Sequence, residues 1–270
     1  TTIDTADVYS RWKPGNQGGE SETLIGNWLA ARPDKRDKVQ IFTKVGMDMG
    51  DGNTGLSPRW IREEVENSLS RLKTDYIDLY FSHRFDEDTP QAETLGVYKD
   101  LLDEGKIRSI GASNFDEGQL EDALKIAETE GLPAYQVLQP EYSLVSRASF
   151  EGPLQRLCID KNIGVVTYFS LASGFLSGKY RSLDDLQGQA RGGMAKKYIE
   201  NGGLQVLEAM DDIATSKNIT LAELAIAWLL HRDGVTAPIA SATKDSHLKS
   251  LVKASEVSLT PEEVEALAVF

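Results

Sequence analysis

Short apolar runs rich in β-branched and aromatic residues alternate along this chain with longer segments of helical period, and no other feature constrains the fold as strongly. Strands joined through a helix return to the same end of the sheet, so the alternation predicts repeated βα units and parallel pairing. Seven runs read as strands: Thr1 to Asp4, Val39 to Lys44, Tyr76 to Ser82, Ile107 to Ala112, Ala134 to Gln139, Gly164 to Tyr168 and Ala237 to Ala240. Between them, Ser57-Pro58 opens a helix whose apolar face is Ile61, Val65, Leu69 and Leu72, and Thr89-Pro90 opens one closed by Gly105. Thr220 with Glu223, and Thr260 with Glu263, have the reciprocal spacing of a capping box.

The chain of 270 residues shows no linker and no change of composition between its halves, so a single domain over 1–270 is expected. Parallel (β/α)8 TIM barrels reach this length as one domain, but closure takes eight strands and an open barrel would leave unpaired edges. The chain is already in a strand at Thr2-Ile3-Asp4. The expectation is therefore an α/β barrel whose first β/α unit lies upstream of Thr1.

Composition excludes several functions. With 29 basic and 42 acidic residues the net charge is -13, which disfavours nucleic acid and anionic membrane as partners. No apolar run approaches the roughly 20 residues of a membrane span. The single cysteine, Cys158, and the lack of a leader pattern point to a cytoplasmic protein, and three histidines without ligand spacing argue against a metal. No GxGxxG occurs. The stretch Gly174 to Lys179 reads GxxxGK but is one residue short of a nucleoside triphosphate loop and is followed by Tyr180.

In a parallel barrel, functional groups gather at the carboxyl ends of the strands. Every strand read here ends in a group able to donate, accept or stack: Asp4 with Tyr9 beyond it, Lys44, His83, Ser113-Asn114, Gln139, Tyr168 and Thr243-Lys244. A strand-end Asp or Asn also serves as a helix cap or turn former, so each alone has a structural reading. The loop from Phe169 to about Gly203 carries Gly174, Gly178, Gly188, Gly192, Gly193, Gly202 and Gly203. Such content lets backbone approach a phosphate, lets a lid move, or marks a flexible surface excursion.

The stretches Ile3-Asp4-Thr5-Ala6-Asp7-Val8-Tyr9, Glu20-Ser21-Glu22, Thr43-Lys44, Asp75 to His83, Gly111-Ala112-Ser113-Asn114 and Gln139-Pro140-Glu141-Tyr142 resemble those of the aldo-keto reductases nearly end to end. The resemblance implies an eight-stranded barrel that binds NADPH without a Rossmann fold, and a catalytic tetrad falling on Asp4, Tyr9, Lys44 and His83. It also implies that Ser113, Asn114 and Gln139 hold the nicotinamide carboxamide and that Tyr168 stacks on its ring. Leu171, Gly174, Gly178 and Lys179 follow on the cofactor side, and Thr243, Lys244 and His247 fall where the 2'-phosphate is met. The chain departs from the family at Ser250-Leu251, where Glu-Asn is frequent, and at Phe169-Ser170-Leu171-Ala172, which lacks the usual proline.

Carbonyl reduction needs a proton for the developing alkoxide, and Tyr9 is the candidate acid. An unperturbed phenol titrates near 10; an adjacent Lys44 ammonium is expected to bring it nearer neutrality, with Asp4 fixing the lysine and His83 orienting the substrate oxygen. Trp12, Trp60, Arg84, Phe85 and Tyr142 are the expected pocket walls for a small carbonyl compound. The competing reading is a non-catalytic or redox-sensing partner resembling the β subunits of voltage-gated potassium channels, from which the histidine at 83 distinguishes the chain.

Overall fold

The computed structural model describes residues 1–189 and 191–268, and the chain divides into two compact units, Thr1–Gln139 and Pro140–Phe270. The first unit alternates strictly: β1 (Thr2–Asp4), α1 (Glu20–Ala30), β2 (Gln40–Val45), α2 (Pro58–Leu72), β3 (Leu79–Ser82), α3 (Gln91–Asp103), β4 (Ile110–Ser113), α4 (Glu117–Glu130) and β5 (Val137–Gln139). Neighbouring strands pair in chain order, all parallel, with Asp4 opposite Phe42, Lys44 opposite Phe81 and Ser113 opposite Gln139. The second unit holds α5 (Pro153–Asp160), β6 (Gly164–Thr167), α6 (Gly192–Glu200), α7 (Gly203–Lys217), α8 (Leu221–Leu230), β7 (Ala237–Pro238), α9 (Asp245–Ala254) and α10 (Pro261–Ala266), with β6 and β7 again parallel. Among the described residues no single helix is long and apolar enough to cross a membrane.

The helix α2 starts as the sequence requires. The Ser57 hydroxyl accepts the Trp60 amide, Pro58 sits where no amide partner is needed, and Ile61, Val65, Leu69 and Leu72 are all buried. Burying side chains of this size contributes roughly 1.5–3 kcal/mol each. Both expected capping boxes form, at Thr220 with Glu223 and at Thr260 with Glu263, and a third, Asp116 with Gln119, opens α4. The Thr89 expectation needs correction. The position before α3 is Pro90, without a side-chain cap, and the Thr89 hydroxyl binds the Asp86 carboxylate instead.

Strand limits differ from the sequence reading for local reasons. The third strand begins at Leu79 rather than Tyr76 because the Asp78 carboxylate takes the Ile41 amide at 2.9 Å and the Arg36 guanidinium at 2.9 Å. Tyr76 is clasped between the guanidinium groups of Arg36 and Arg108, 3.7 and 3.6 Å from its ring centre. The last strand is short: Pro238 has no amide, and the bond to the Thr167 carbonyl comes instead from the Ile239 amide at 2.7 Å. The glycine-rich segment after β6 is not an open excursion. It contains short 3-10 turns at Ala172–Ser177 and Asp184–Leu186 and then α6, while Ala190 lies outside the described residues. A Cβ added at Gly203 would meet the Tyr198 carbonyl oxygen at 2.6 Å, so that glycine serves close packing.

Two helix glycines separate packing from propensity. A Cβ at Gly26 on α1 would lie 2.0 Å from the Arg71 carbonyl oxygen, whereas one at Gly96 on α3 meets nothing within 4 Å. Gly26→Ala is expected to destabilise by about 1–3 kcal/mol through overpacking, and Gly96→Ala to stabilise by about 0.5–1 kcal/mol through helix propensity. Urea unfolding of the two variants checks the opposite signs.

Candidate active site

The period of two along β2 aims adjacent side chains to opposite faces of the sheet. Thr43 points to one face, where its hydroxyl donates to Glu22 at 2.5 Å, and Lys44 points to the other. The Lys44 ammonium has no exposed surface, so it must be met by oxygens. It lies 2.9 Å from each Asp4 carboxylate oxygen, 2.7 Å from the Thr5 carbonyl and 3.3 Å from the Tyr9 hydroxyl. Burial alone would depress the lysine, but Asp4 and Tyr9 outweigh it and hold Lys44 above its usual range.

Tyr9 moves opposite to the sequence expectation. Burial pushes the phenol up, Lys44 opposes it, and Asp4 offsets part of the lysine's pull, so the hydroxyl lies above 10. The expected fall toward neutrality counted the ammonium without its counterion or the dry surroundings. At neutral pH the phenol is therefore protonated.

His83 follows β3 directly, and its amide donates to the Val45 carbonyl at 2.8 Å. The strand beneath it is locked by the Ser82 hydroxyl, 2.9 Å from the Tyr98 hydroxyl and 2.8 Å from that of Tyr135. The imidazole lies edge-on to Tyr9 with ring centres 6.0 Å apart, and its Nδ1 is buried without a hydrogen-bond partner. Burial first, then Lys44 and Arg84, lower the ring to about 3, so His83 is neutral.

Three further side chains close this arrangement. The Gln139 amide donates to Asp4 Oδ1 at 2.9 Å, and the Ser113 hydroxyl donates to the Gln139 carbonyl at 2.8 Å. The Asn114 amide donates to the His83 carbonyl at 2.9 Å from a left-handed backbone (φ 56°) that suits asparagine. Asp4, Tyr9, Lys44, His83, Ser113, Asn114 and Gln139 thus share one hydrogen-bonded network on the first unit. Trp12 stands edge-on to Tyr9 at 5.9 Å and is 74% exposed; Arg84 is exposed, and Phe85 is half-buried against Phe115 at 5.5 Å.

Two expected pocket residues are placed otherwise. Trp60 is on the buried face of α2, and Tyr142 is fully buried in the second unit, where its hydroxyl donates to Glu151 at 2.6 Å and accepts from Arg232 at 3.1 Å. Neither offers surface to a substrate, because each fills its own unit's core. Sequence reading gave no role to the Thr5 carbonyl or to Asp7. A main-chain acceptor has no residue signal, while Asp7 is an acid placed between the apolar residues Ala6 and Val8.

In the second unit, Tyr168 is half-buried, with its amide donating to the Pro140 carbonyl at 3.0 Å. The Leu171 carbonyl accepts the Gly174 amide at 2.8 Å as Ala172, Ser173, Gly174 and Gly178 turn through positive φ. A Cβ at Gly174 would lie 3.2 Å from the Lys179 ammonium. Thr243, Lys244 and His247 are all exposed at the start of α9, the Thr243 hydroxyl 3.4 Å from His247 Nδ1.

The depressed His83 gives a signed expectation. Its neutral form favours the folded state above the unfolded value near 6.5, and that contribution is lost as pH falls toward about 3. Imidazole NMR should show one histidine that stays neutral down to about pH 5, and that signal should vanish in His83→Gln. A full inflection of the His83 signal near 6.5 would contradict the burial argument.

The chain is 35% identical over 268 residues to the uncharacterized oxidoreductase YrpG of Bacillus subtilis (strain 168), covering 96% of this chain and 79% of that protein. It is 34% identical over 275 aligned positions to the NADH-specific methylglyoxal reductase of Escherichia coli (strain K12), covering 96% of this chain and 79% of the relative. It is also 31% identical over 274 positions to a probable voltage-gated potassium channel subunit beta of Oryza sativa subsp. japonica, covering 98% and 81%. The Aldo/keto reductase family model matches residues 1–269, and the chain belongs to that family of oxidoreductases.

Proposed function

We propose that this protein reduces an aldehyde or ketone to the alcohol, with hydride from NADPH and the proton from Tyr9. The observation that carries the reading is the hydroxyl of Tyr9 held 3.3 Å from a fully buried Lys44 ammonium that Asp4 neutralises. When bound, the dinucleotide supplies hydride to the carbonyl carbon. The rest of the chemistry belongs to side chains. Negative charge grows on the carbonyl oxygen as hydride arrives, and Tyr9, protonated because burial keeps it so, gives up its proton. The phenolate left behind faces Lys44, whose charge is worth most in a dry site. Neutral His83 offers a ring N–H to the substrate oxygen.

The residues present fit a dinucleotide. Ala172, Ser173 and Gly174 form a left-handed bend, and the Lys179 ammonium lies over Gly174, where it can meet a phosphate with charge-assisted hydrogen bonds. Leu171, Gly174, Gly178 and Lys179 would serve the phosphates and Tyr168 the nicotinamide ring. Ser113, Asn114 and Gln139 would serve the carboxamide, and Thr243, Lys244 and His247 the 2'-phosphate. Trp12, Arg84 and Phe85 would meet the substrate. Localisation in the cytoplasm is part of the same reading and rests on the single cysteine. The similarity to the rice channel subunit supports a second reading, cofactor binding without turnover in a channel complex.

Tyr9→Phe should lower kcat by about two orders of magnitude or more while the dinucleotide still binds. Near-normal turnover would remove Tyr9 as donor, and a wild type that binds NADPH yet reduces no member of a carbonyl panel would favour the second reading. Wild-type activity should fall only as pH rises through the phenol's raised value, because the donor must be protonated.

Cofactor choice is tested separately. Lys244 beside Thr243 can form charge-assisted hydrogen bonds with a phosphate monoester that a ribose hydroxyl does not match. Fluorescence titration should show NADPH bound more tightly than NADH, with Lys244→Ala losing that preference. Equal affinity in the wild type, or preference for NADH as the Escherichia coli relative's name describes, overturns the assignment.

A further inference from the structure

We propose that Asp7 is carried as an uncharged acid that clasps the neck of the loop bearing Tyr9, and is thereby a positioning residue for the proton donor. The role rests on the reading of Tyr9 given above; the protonation state does not. Main-chain bonds define the neck. The Asp7 amide donates to the Lys44 carbonyl at 3.3 Å, and its carbonyl accepts the Gly19 amide at 2.6 Å, closing a loop over 7–19. Inside the loop, Tyr9 donates to Ala6, Arg11 to Val8 and Lys13 to Ser10 through successive tight turns. The Asp7 carboxyl anchors the neck from within: Oδ1 accepts the Val8 amide at 2.6 Å, one residue before Tyr9.

That carboxyl has no exposed surface, and its second oxygen is buried without a hydrogen-bond partner. The groups facing it come from four elements and its own loop: Glu22 from α1, Glu64 and Arg71 from α2, Tyr80 from β3, Tyr98 from α3, and Tyr9. The cation among them is already committed. Arg71 donates to Glu22 at 2.7 Å, to Glu64, and to the Ser68 hydroxyl at 3.2 Å. The Lys44 ammonium is taken by Asp4, Thr5 and Tyr9. Two carboxylates therefore already share one guanidinium, and a third anion would stand unpaired in a dry interior. Burial, then Glu64 and Glu22, push the Asp7 carboxyl well above the usual carboxylate range. The Tyr80 hydroxyl is likewise buried without a partner and pushed upward by burial, and an ionised Asp7 would push it further.

Two consequences separate this arrangement from a carboxylate that only packs. A folded-state value above the unfolded one, near 3.9, means that the stabilising contribution is complete at acid pH and is lost as pH rises toward the folded value. Ionising Asp7 also places an anion near Tyr9 and raises the donor further.

Thermal unfolding of the purified full chain and of Asp7→Asn, from about pH 4.5 to 8.5, tests the protonation state. The Asn variant should gain on the wild type steadily as pH rises. A constant difference, or an Asn variant that loses ground at alkaline pH, overturns the proposal. If that variant does not fold, infrared spectroscopy of the wild type decides: a protonated-carboxyl stretch must persist at about pH 7, and its absence overturns the proposal. For positioning, Asp7→Ala should lower kcat about 100-fold with little change in KM or dinucleotide affinity, and Asp7→Asn should restore most of the loss. An Ala variant with wild-type kcat overturns the positioning role. The unfolding and infrared results do not depend on turnover, so failure of Tyr9 as donor remains distinguishable from failure of Asp7 as a neutral acid.

Discussion

A lysine ammonium with no access to water is the constraint around which the first unit is arranged. Lys44 can stay charged there only because both oxygens of Asp4 and the Thr5 carbonyl surround it. Those partners lie on the neighbouring strand, so the ion pair holds only in the register that sets Asp4 opposite Phe42. A slip of one residue would turn Lys44 to the opposite face and strand the charge. Removing one partner of such a pair typically costs about 3–5 kcal/mol. The same lysine is the charged neighbour of the Tyr9 hydroxyl, 3.3 Å away.

The opposite face of β2 carries a second electrostatic system. Thr43 binds Glu22, Glu22 binds Arg71, and Arg71 binds Glu64. Adjacent residues of one strand therefore serve two charge clusters, kept apart by the pleat of the sheet. Asp7 connects them. Its main chain bonds to Lys44 and its side chain faces Glu22 and Glu64. With no cation left for it, this acid is neutral.

The second unit meets a different demand. Its segment after β6 holds Phe169, Ala172 and Ser173 at positive φ, a conformation that side chains other than glycine resist. Such backbone persists where surrounding contacts over-determine it, and Phe175 and Leu176, both fully buried, provide them here. The turns that result close on themselves, the Ala172 amide donating to the Phe169 carbonyl and the Gly174 amide to the Leu171 carbonyl.

The order of strands and helices was legible in the chain because hydrophobic period and capping chemistry are local. Ser57 caps α2 and Thr220 caps α8 through atoms a few residues away. That Asp4, Lys44 and His83 stand at or beside strand ends was legible too, since polar residues there follow apolar runs. Asp78 shortening β3 was not, because its partners Ile41 and Arg36 are distant in sequence. Trp60 and Tyr142 read as pocket walls, yet their burial depends on what packs against them. Proton affinities belong to the same class. The charge near Tyr9 could be named from Lys44 alone, but its direction of shift follows from burial and from Asp4 together. Local composition determines which elements form and which groups stand at their ends; desolvation and pairing arise only when distant segments meet, and they decide the charge each group carries.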